Sequence, residues 1–131
     1  MDNDWIHVGE KTFYDRYEGF DRLNTYIYGT DQHSKKVETY IVSTRIPHIF
    51  TKPKFSAEIS INRKIDGREI PLNRVDIQLG KMPYKYVKHR DLLNAHFGTV
   101  LKISKGEKVS DSSLINMVYS SSLSNIQVKI R

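Results

Sequence analysis

The chain of 131 residues contains no cysteine, which excludes disulfides, thiolate nucleophiles and cysteine-ligated zinc or iron–sulfur sites and suits a reducing compartment. Long apolar runs are missing too: no stretch approaches the roughly 18 consecutive apolar residues of a membrane span. The opening Met1-Asp2-Asn3-Asp4 is acidic where a secretory leader would be basic, so the expectation is a cytoplasmic protein without membrane contact. There is no phosphate-binding glycine loop and no G-x-S-x-G elbow, and Asp66 and Glu69 flank a turn glycine as solvated loop charge. His7, His33, His48, His89 and His96 show no H-x-x-x-H or H-x-H spacing, and no metal or other cofactor is expected in this chain. Zinc-finger, aromatic RNA-binding and helix-turn-helix patterns are also absent. These absences predict no catalytic residues.

Apolar side chains make up 38% of the sequence, below the roughly 45–50% of an average globular chain. A thin core is expected, one that a docked partner would complete. What the chain does have is aromatic rings, eight of them tyrosines, which suit surfaces with one wet end. Its charge is +6 overall but unevenly placed. Residues 1–34 carry three basic and seven acidic side chains, a net −4, whereas residues 35–131 carry eighteen and eight, a net +10. The second part is the natural face for a polyphosphate, because each neutralised phosphate releases condensed counterions. A mixed charged surface with no ligand fits the same numbers.

Along the chain, Phe13, Tyr17 and Phe20 stand at i, i+4 and i+7, which predicts a short helix over 11–23. The stretch 29–34 supplies turn formers, and 37–43 is rich in β-branched and aromatic residues, a strand that Pro47 and Pro53 close. Phe55, Ala57, Ile59 and Ile61 alternate, as do Val75, Ile77 and Leu79, so 55–79 reads as a β-hairpin with its loop over 62–71. Residues 87–97 lose the alternation and predict the main helix, with Gly98 as its C-terminal stop. Short extended segments are expected at 99–103, 114–119 and 126–130. Lys85, Lys88 and Arg90, then Lys102, Lys105 and Lys108, flank the helix end and its turn in a pattern that would clamp a nucleic-acid backbone, although solvated lysines need no ligand. Tyr84 and Tyr86 suit base stacking or packing equally.

Within 87–119, the run Val87-Lys88-His89-Arg90-Asp91-Leu92-Leu93, the small-residue turn at Gly98, Ile103-Ser104-Lys105 and Ser113 to Tyr119 form a recognisable order. It resembles the C-terminal segment of the largest (β′-type) subunit of multisubunit RNA polymerases, where an R-H-[LM]-x-L-L helix leads through a glycine turn into I-T-R and ends near L-x-x-x-x-F-E. Leu114-Ile115-Asn116-Met117-Val118-Tyr119 is similar to the poxvirus version. A free-standing chain of this size with that segment resembles the small RNA polymerase subunits encoded by the cytoplasmic linear (killer) plasmids of yeasts. Lys88 and Lys105 stand where the family has arginine, which keeps charge but loses the bidentate fork. Ser120 stands where it has glutamate.

The resemblance implies a noncatalytic subunit of a DNA-directed RNA polymerase, completing the clamp base of a large β–β′-like partner in a hetero-oligomer. Magnesium and the catalytic aspartates would belong to that partner. By the resemblance Lys88, His89 and Lys105 would then contact DNA backbone, joined by Arg90 and Lys102 of the same basic clusters, and Leu92, Leu93, Leu114 and Tyr119 would pack at the partner interface. The fold expected is α+β in a single domain over 1–131: an acidic aromatic-rich region (1–35), a β-rich region with a central antiparallel hairpin (36–83), and the polymerase-like segment (84–131), with one or two short helices and short C-terminal strands docking on the larger subunit. Two other functions remain open from the residues alone. One is an independent nucleic-acid-binding or regulatory protein of viral or plasmid origin, and the other is an inhibitor or immunity module that uses its tyrosines as anchors.

Overall fold

Alternation of apolar and polar side chains governs the first part of the structure. A computed structural model describes residues 5–48, 57–77 and 89–119. Five strands, β1 (Trp5–Arg16), β2 (Phe20–Asp31), β3 (Val37–Pro47), β4 (Ala57–Ile65) and β5 (Arg68–Ile77), form one antiparallel sheet in the order β1-β2-β3-β4-β5. On its inner face Leu23, Thr25 and Ile27 of β2 stand opposite Thr44, Val42 and Tyr40 of β3, and Val42 and Thr44 stand opposite Ile61 and Ile59 of β4. All are buried. The outer face carries Arg22, Tyr26, Ile41, Arg45 and Glu58, all half-buried.

The inner face is covered by α1 (His89–Ser104) and by a second helix, α2, over residues 111–119. The architecture is α+β. In α1 the buried residues Leu92, Ala95, His96, Thr99, Val100 and Ile103 repeat at i, i+3, i+4, i+7, i+8 and i+11, one stripe of a 3.6-residue helix. Leu114 and Val118 of α2 complete the same core. Burying a side chain such as Ile27, Ile59 or Leu92 contributes about 1.5–3 kcal/mol. Among the described residues, no helix is long and apolar enough to cross a membrane.

Several expectations are corrected. Residues 11–23 are not helical: they form the second half of β1, a turn and the start of β2. Gly19, at φ 86°, takes the left-handed conformation that turns the chain, and Tyr17 N–H bonds the Phe20 carbonyl at 2.9 Å. The helix-like ring spacing comes from pairing across strands, with Tyr17 stacked on Phe20 and Phe13 edge-on to Tyr26. The hairpin expected over 55–79 is present as β4–β5, but its loop is only Asp66-Gly67, both at positive φ, a two-residue turn whose twist matches the strands.

Gly98 does not end the helix, and 99–103 is helical, not extended. The helix stops eight residues later at Gly106, φ 79°, where Gly106 N–H bonds the Ile103 carbonyl and Glu107 N–H bonds that of Lys102, each at 2.9 Å. These are the paired bonds of a Schellman cap. Gly98 instead lets α2 approach, since a Cβ there would lie 3.3 Å from Met117 Sδ. Residues 114–119 are also helical: Ser110 caps α2, with Ser113 N–H bonding Ser110 Oγ at 3.2 Å and Ser110 N–H bonding Ser113 Oγ at 3.1 Å. The strand expected at 126–130 lies outside the described residues, as do Pro53, Phe55, Leu79, Tyr84, Lys85, Tyr86 and Lys88.

Gly29, expected in a turn, lies inside β2 under the Trp5 indole. A Cβ there would overlap that ring and come within 2.6 Å of the Ile6 carbonyl oxygen. Gly29→Ala is therefore expected to displace Trp5 from its edge-on contact with Tyr40 (5.2 Å between centroids) at a cost of about 1–3 kcal/mol. Trp5 is the single tryptophan, so the test is its fluorescence: a red-shifted emission maximum is expected, and an unshifted one would contradict the packing.

Candidate nucleic-acid interface

The placement of α1 decides where the basic side chains go. Its N-terminus is held at the end of β3 by His89, whose Nε2 donates to the Pro47 carbonyl at 2.9 Å. Its middle is held by His96, fully buried, whose Nε2 lies 2.7 Å from Thr25 Oγ1 and whose Nδ1 lies 2.7 Å from Thr44 Oγ1. A neutral imidazole has one donor and one acceptor, and two hydroxyls satisfy both. Burial lowers the His96 pKa to about 4. α1 therefore runs antiparallel to β3, and its C-terminus reaches the end of the sheet that carries Tyr40, Ile61 and Arg63.

At that end the Schellman cap presents Lys102, half-buried, and Lys105, exposed, with exposed Lys108 just beyond. Arg63 of β4 lines the same cleft as Lys108. It shares the inward register of Ile59 and Ile61, so its charge needs a partner, and Glu38 supplies it from the equivalent side of β3 through an ion pair. Tyr40 Oη donates to the same carboxylate at 3.2 Å. That contact with Glu38 raises the Arg63 pKa, while burial, then the Glu38 charge, push Tyr40 up to about 12. A cleft of about 320 Å³ opens here, with Tyr40, Ile61, Leu72 and Val109 among its walls and Arg63, Asn73 and Lys108 as polar groups. Lys102, Lys105 and Lys108, with Glu107 among them, form a lysine rim about the cap, and Lys108 lines the cleft together with the Glu38-paired Arg63. Such lysines suit phosphate oxygens and carry no groups for reading bases.

The structure does not bring the whole expected set together. His89 and Arg90 sit at the opposite end of a 16-residue helix, roughly 20 Å from Lys102 and Lys105 at 1.5 Å per residue. Lys88 lies outside the described residues. Of the expected interface residues, Leu92 and Leu114 are fully buried in the chain's own core and present no surface to a partner. Leu93 is half-buried against that core, and Tyr119 is exposed. The exposed apolar residues of α1 are Phe97 and Leu101, at 48% and 56% exposure, one helical turn apart. Arg63 and Glu38 were legible as charges on the apolar parity of their strands, a signal that demands pairing.

A second polar cluster lies at the other end of the sheet. Asp21 accepts from Tyr14 Oη through Oδ2, and its Oδ1 lies 2.7 Å from His48 Nε2. His48, then Tyr14, hold the Asp21 pKa below its ordinary value, and the Asp21 bond in turn raises that of Tyr14. Both carboxylate oxygens are engaged, so the cluster ties β1, β2 and the end of β3 together. Among the described residues no group of three or more His, Asp or Glu side chains is placed to hold a metal ion. Comparison with protein-family models, with curated proteins and with solved structures gave no match to this chain.

Proposed function

We propose that this chain is a noncatalytic small subunit of a DNA-directed RNA polymerase that docks on a large β–β′-like polypeptide and steadies DNA by its backbone. The observation that carries the reading is the rim of Lys102, Lys105 and Lys108 about the cap of α1, within the segment that resembles the largest polymerase subunit. Its role is electrostatic positioning, since each neutralised phosphate releases counterions and gains affinity without sequence readout. Magnesium and the reacting groups belong to the partner. Docking falls to the ridge of Phe97 and Leu101, which points away from the sheet, in place of Leu92 and Leu114.

Reconstituted transcription tests this. Replacing both Lys102 and Lys105 by glutamate is expected to leave assembly intact and lower transcription by about tenfold or more at physiological salt, given about 1.5–3 kcal/mol for each hydrogen bond to a charged group. Leu101→Asp is expected to detach the subunit without unfolding it. Purification from the native source without any large polymerase polypeptide would overturn the reading. The same rim also suits a free-standing backbone-binding protein, and a salt titration separates the two. Solo binding that weakens steeply with salt favours the independent protein, whereas an isolated subunit binds poorly at any salt.

A further inference from the structure

Among the described residues β1 is an edge strand of 12 residues that pairs with β2 alone, and its outer row of backbone N–H and C=O groups is a template for another strand. Edges in native proteins are normally blunted, and β5 at the opposite side of the sheet is. It contains Pro71, lies beside a bulge at Ile61/Asn62, and is tied to α2 by Asn73 Nδ2 donating to Asp111 Oδ1 at 2.8 Å. β1 has one bulge, between His7 and Gly9, and from Gly9 to Arg16 its ladder with β2 is regular. Large apolar side chains stand exposed along it: Val8 at 69%, Phe13 at 47% and Tyr14 at 52%.

We infer that β1 pairs antiparallel with β1 of a second copy of this chain, about a two-fold axis through Phe13. Two such strands place residue i opposite residue j with i + j constant, so the sequence selects the register. With Phe13 opposite Phe13, Lys11 faces Asp15 and Glu10 faces Arg16, and the two-fold repeats both pairs. Four opposite-charge cross-strand pairs result, each on one face of the sheet. A shift of the sum by one in either direction sets Glu10 against Asp15 or Lys11 against Arg16, two like-charge clashes. Centring on Thr12 or Tyr14 leaves no ion pair at all. Cross-strand pairs of opposite charge favour a register and like charges oppose it.

The rings agree with the charges. Phe13 packs edge-on to Tyr26 at 5.7 Å, so pairing at Phe13 makes a row of four rings, Tyr26–Phe13 and its symmetry mate, across a sheet of ten strands. The charges of residues 10–16 sum to zero, which gives a strongly basic or acidic partner no advantage here. The complementarity is with itself. The inference is independent of the polymerase reading, because the pairing edge is remote in sequence from α1 and the lysine rim.

The test is sedimentation of the purified full-length chain with two charge reversals and their combination. The wild type is expected to dimerise with concentration. Lys11→Glu and Asp15→Lys are each expected to weaken the dimer by about tenfold or more, since each turns two attractive pairs into two repulsive ones. The double variant, which restores opposite signs in exchanged positions, is expected to recover most of the affinity. Circular dichroism checks that each variant keeps the fold. A wild type that stays monomeric across the micromolar range, single variants that dimerise like the wild type, or a double variant no better than the singles would each overturn the inference.

Discussion

Lowering the pH from 7 to 4 is expected to remove about 3 kcal/mol of folding free energy through His96 alone. The ring is fully buried between Thr25 and Thr44, and desolvation lowers its pKa from 6.5 to about 4. Above pH 6.5 the ring is neutral in both folded and unfolded chains, and the stabilisation is complete. Between 6.5 and 4 only the unfolded chain takes up the proton, so stability falls by about 1.4 kcal/mol per pH unit. Below 4 this loss levels off. Asp21 adds a separate loss at still lower pH, because its folded-state pKa is depressed by His48 and Tyr14. Denaturant titrations at pH 7, 5.5 and 4 give the slope. His96→Gln, which keeps a donor and an acceptor but does not titrate, should flatten it, and an unchanged slope in that variant would show that other groups are responsible.

Two neighbouring leucines separate the observed helix face from the expected one. Leu92 is fully buried, and Leu92→Asp would place a carboxylate among apolar side chains at a cost of several kcal/mol. Against the 5–15 kcal/mol total stability of a small domain, that is enough to unfold much of the population. Leu93 only edges the core, and Leu93→Asp is expected to cost about 1 kcal/mol. If both residues anchored a partner, both variants would fold normally in isolation. Thermal melts of the two purified chains decide it: a cooperative, near-wild-type melt for Leu92→Asp would mean that α1 presents another face to the sheet.

Strict alternation made the sheet partly legible before its coordinates. β3 and the β4–β5 pair follow from β-branched residues at period two, and the start of α1 follows from the loss of that period. β1 and β2 were hidden because three rings at helical spacing outweighed the alternation of Leu23, Thr25 and Ile27. The structure uses those rings in cross-strand pairs. Gly98 misled because glycine serves two purposes, stopping a helix or admitting a neighbour, and only the position of Met117 tells them apart. α2 carried a readable signal in Ser110 and Ser113, a reciprocal cap three residues apart.

The candidate site was legible in its lysines but not in its grouping. Lys102 and Lys105 fall together because both belong to the last turn and cap of α1, while the length of the same helix carries His89 and Arg90 away. The parity of Arg63 signals a buried-side charge that needs a partner, and the register that sets it opposite Tyr40 supplies that partner as Glu38.

Every strand takes its ladder partner from its immediate neighbour in the chain, so no crossover has to be threaded. Loop closure within the sheet costs little entropy when the segments to be closed are two to nine residues long. The clasp of His96 with Thr25 bridges 71 positions of chain and draws on a much larger entropic cost. The folding route consistent with this contrast zips hairpins first and docks the helix onto a finished platform, which gives assembly a built-in sequence of events.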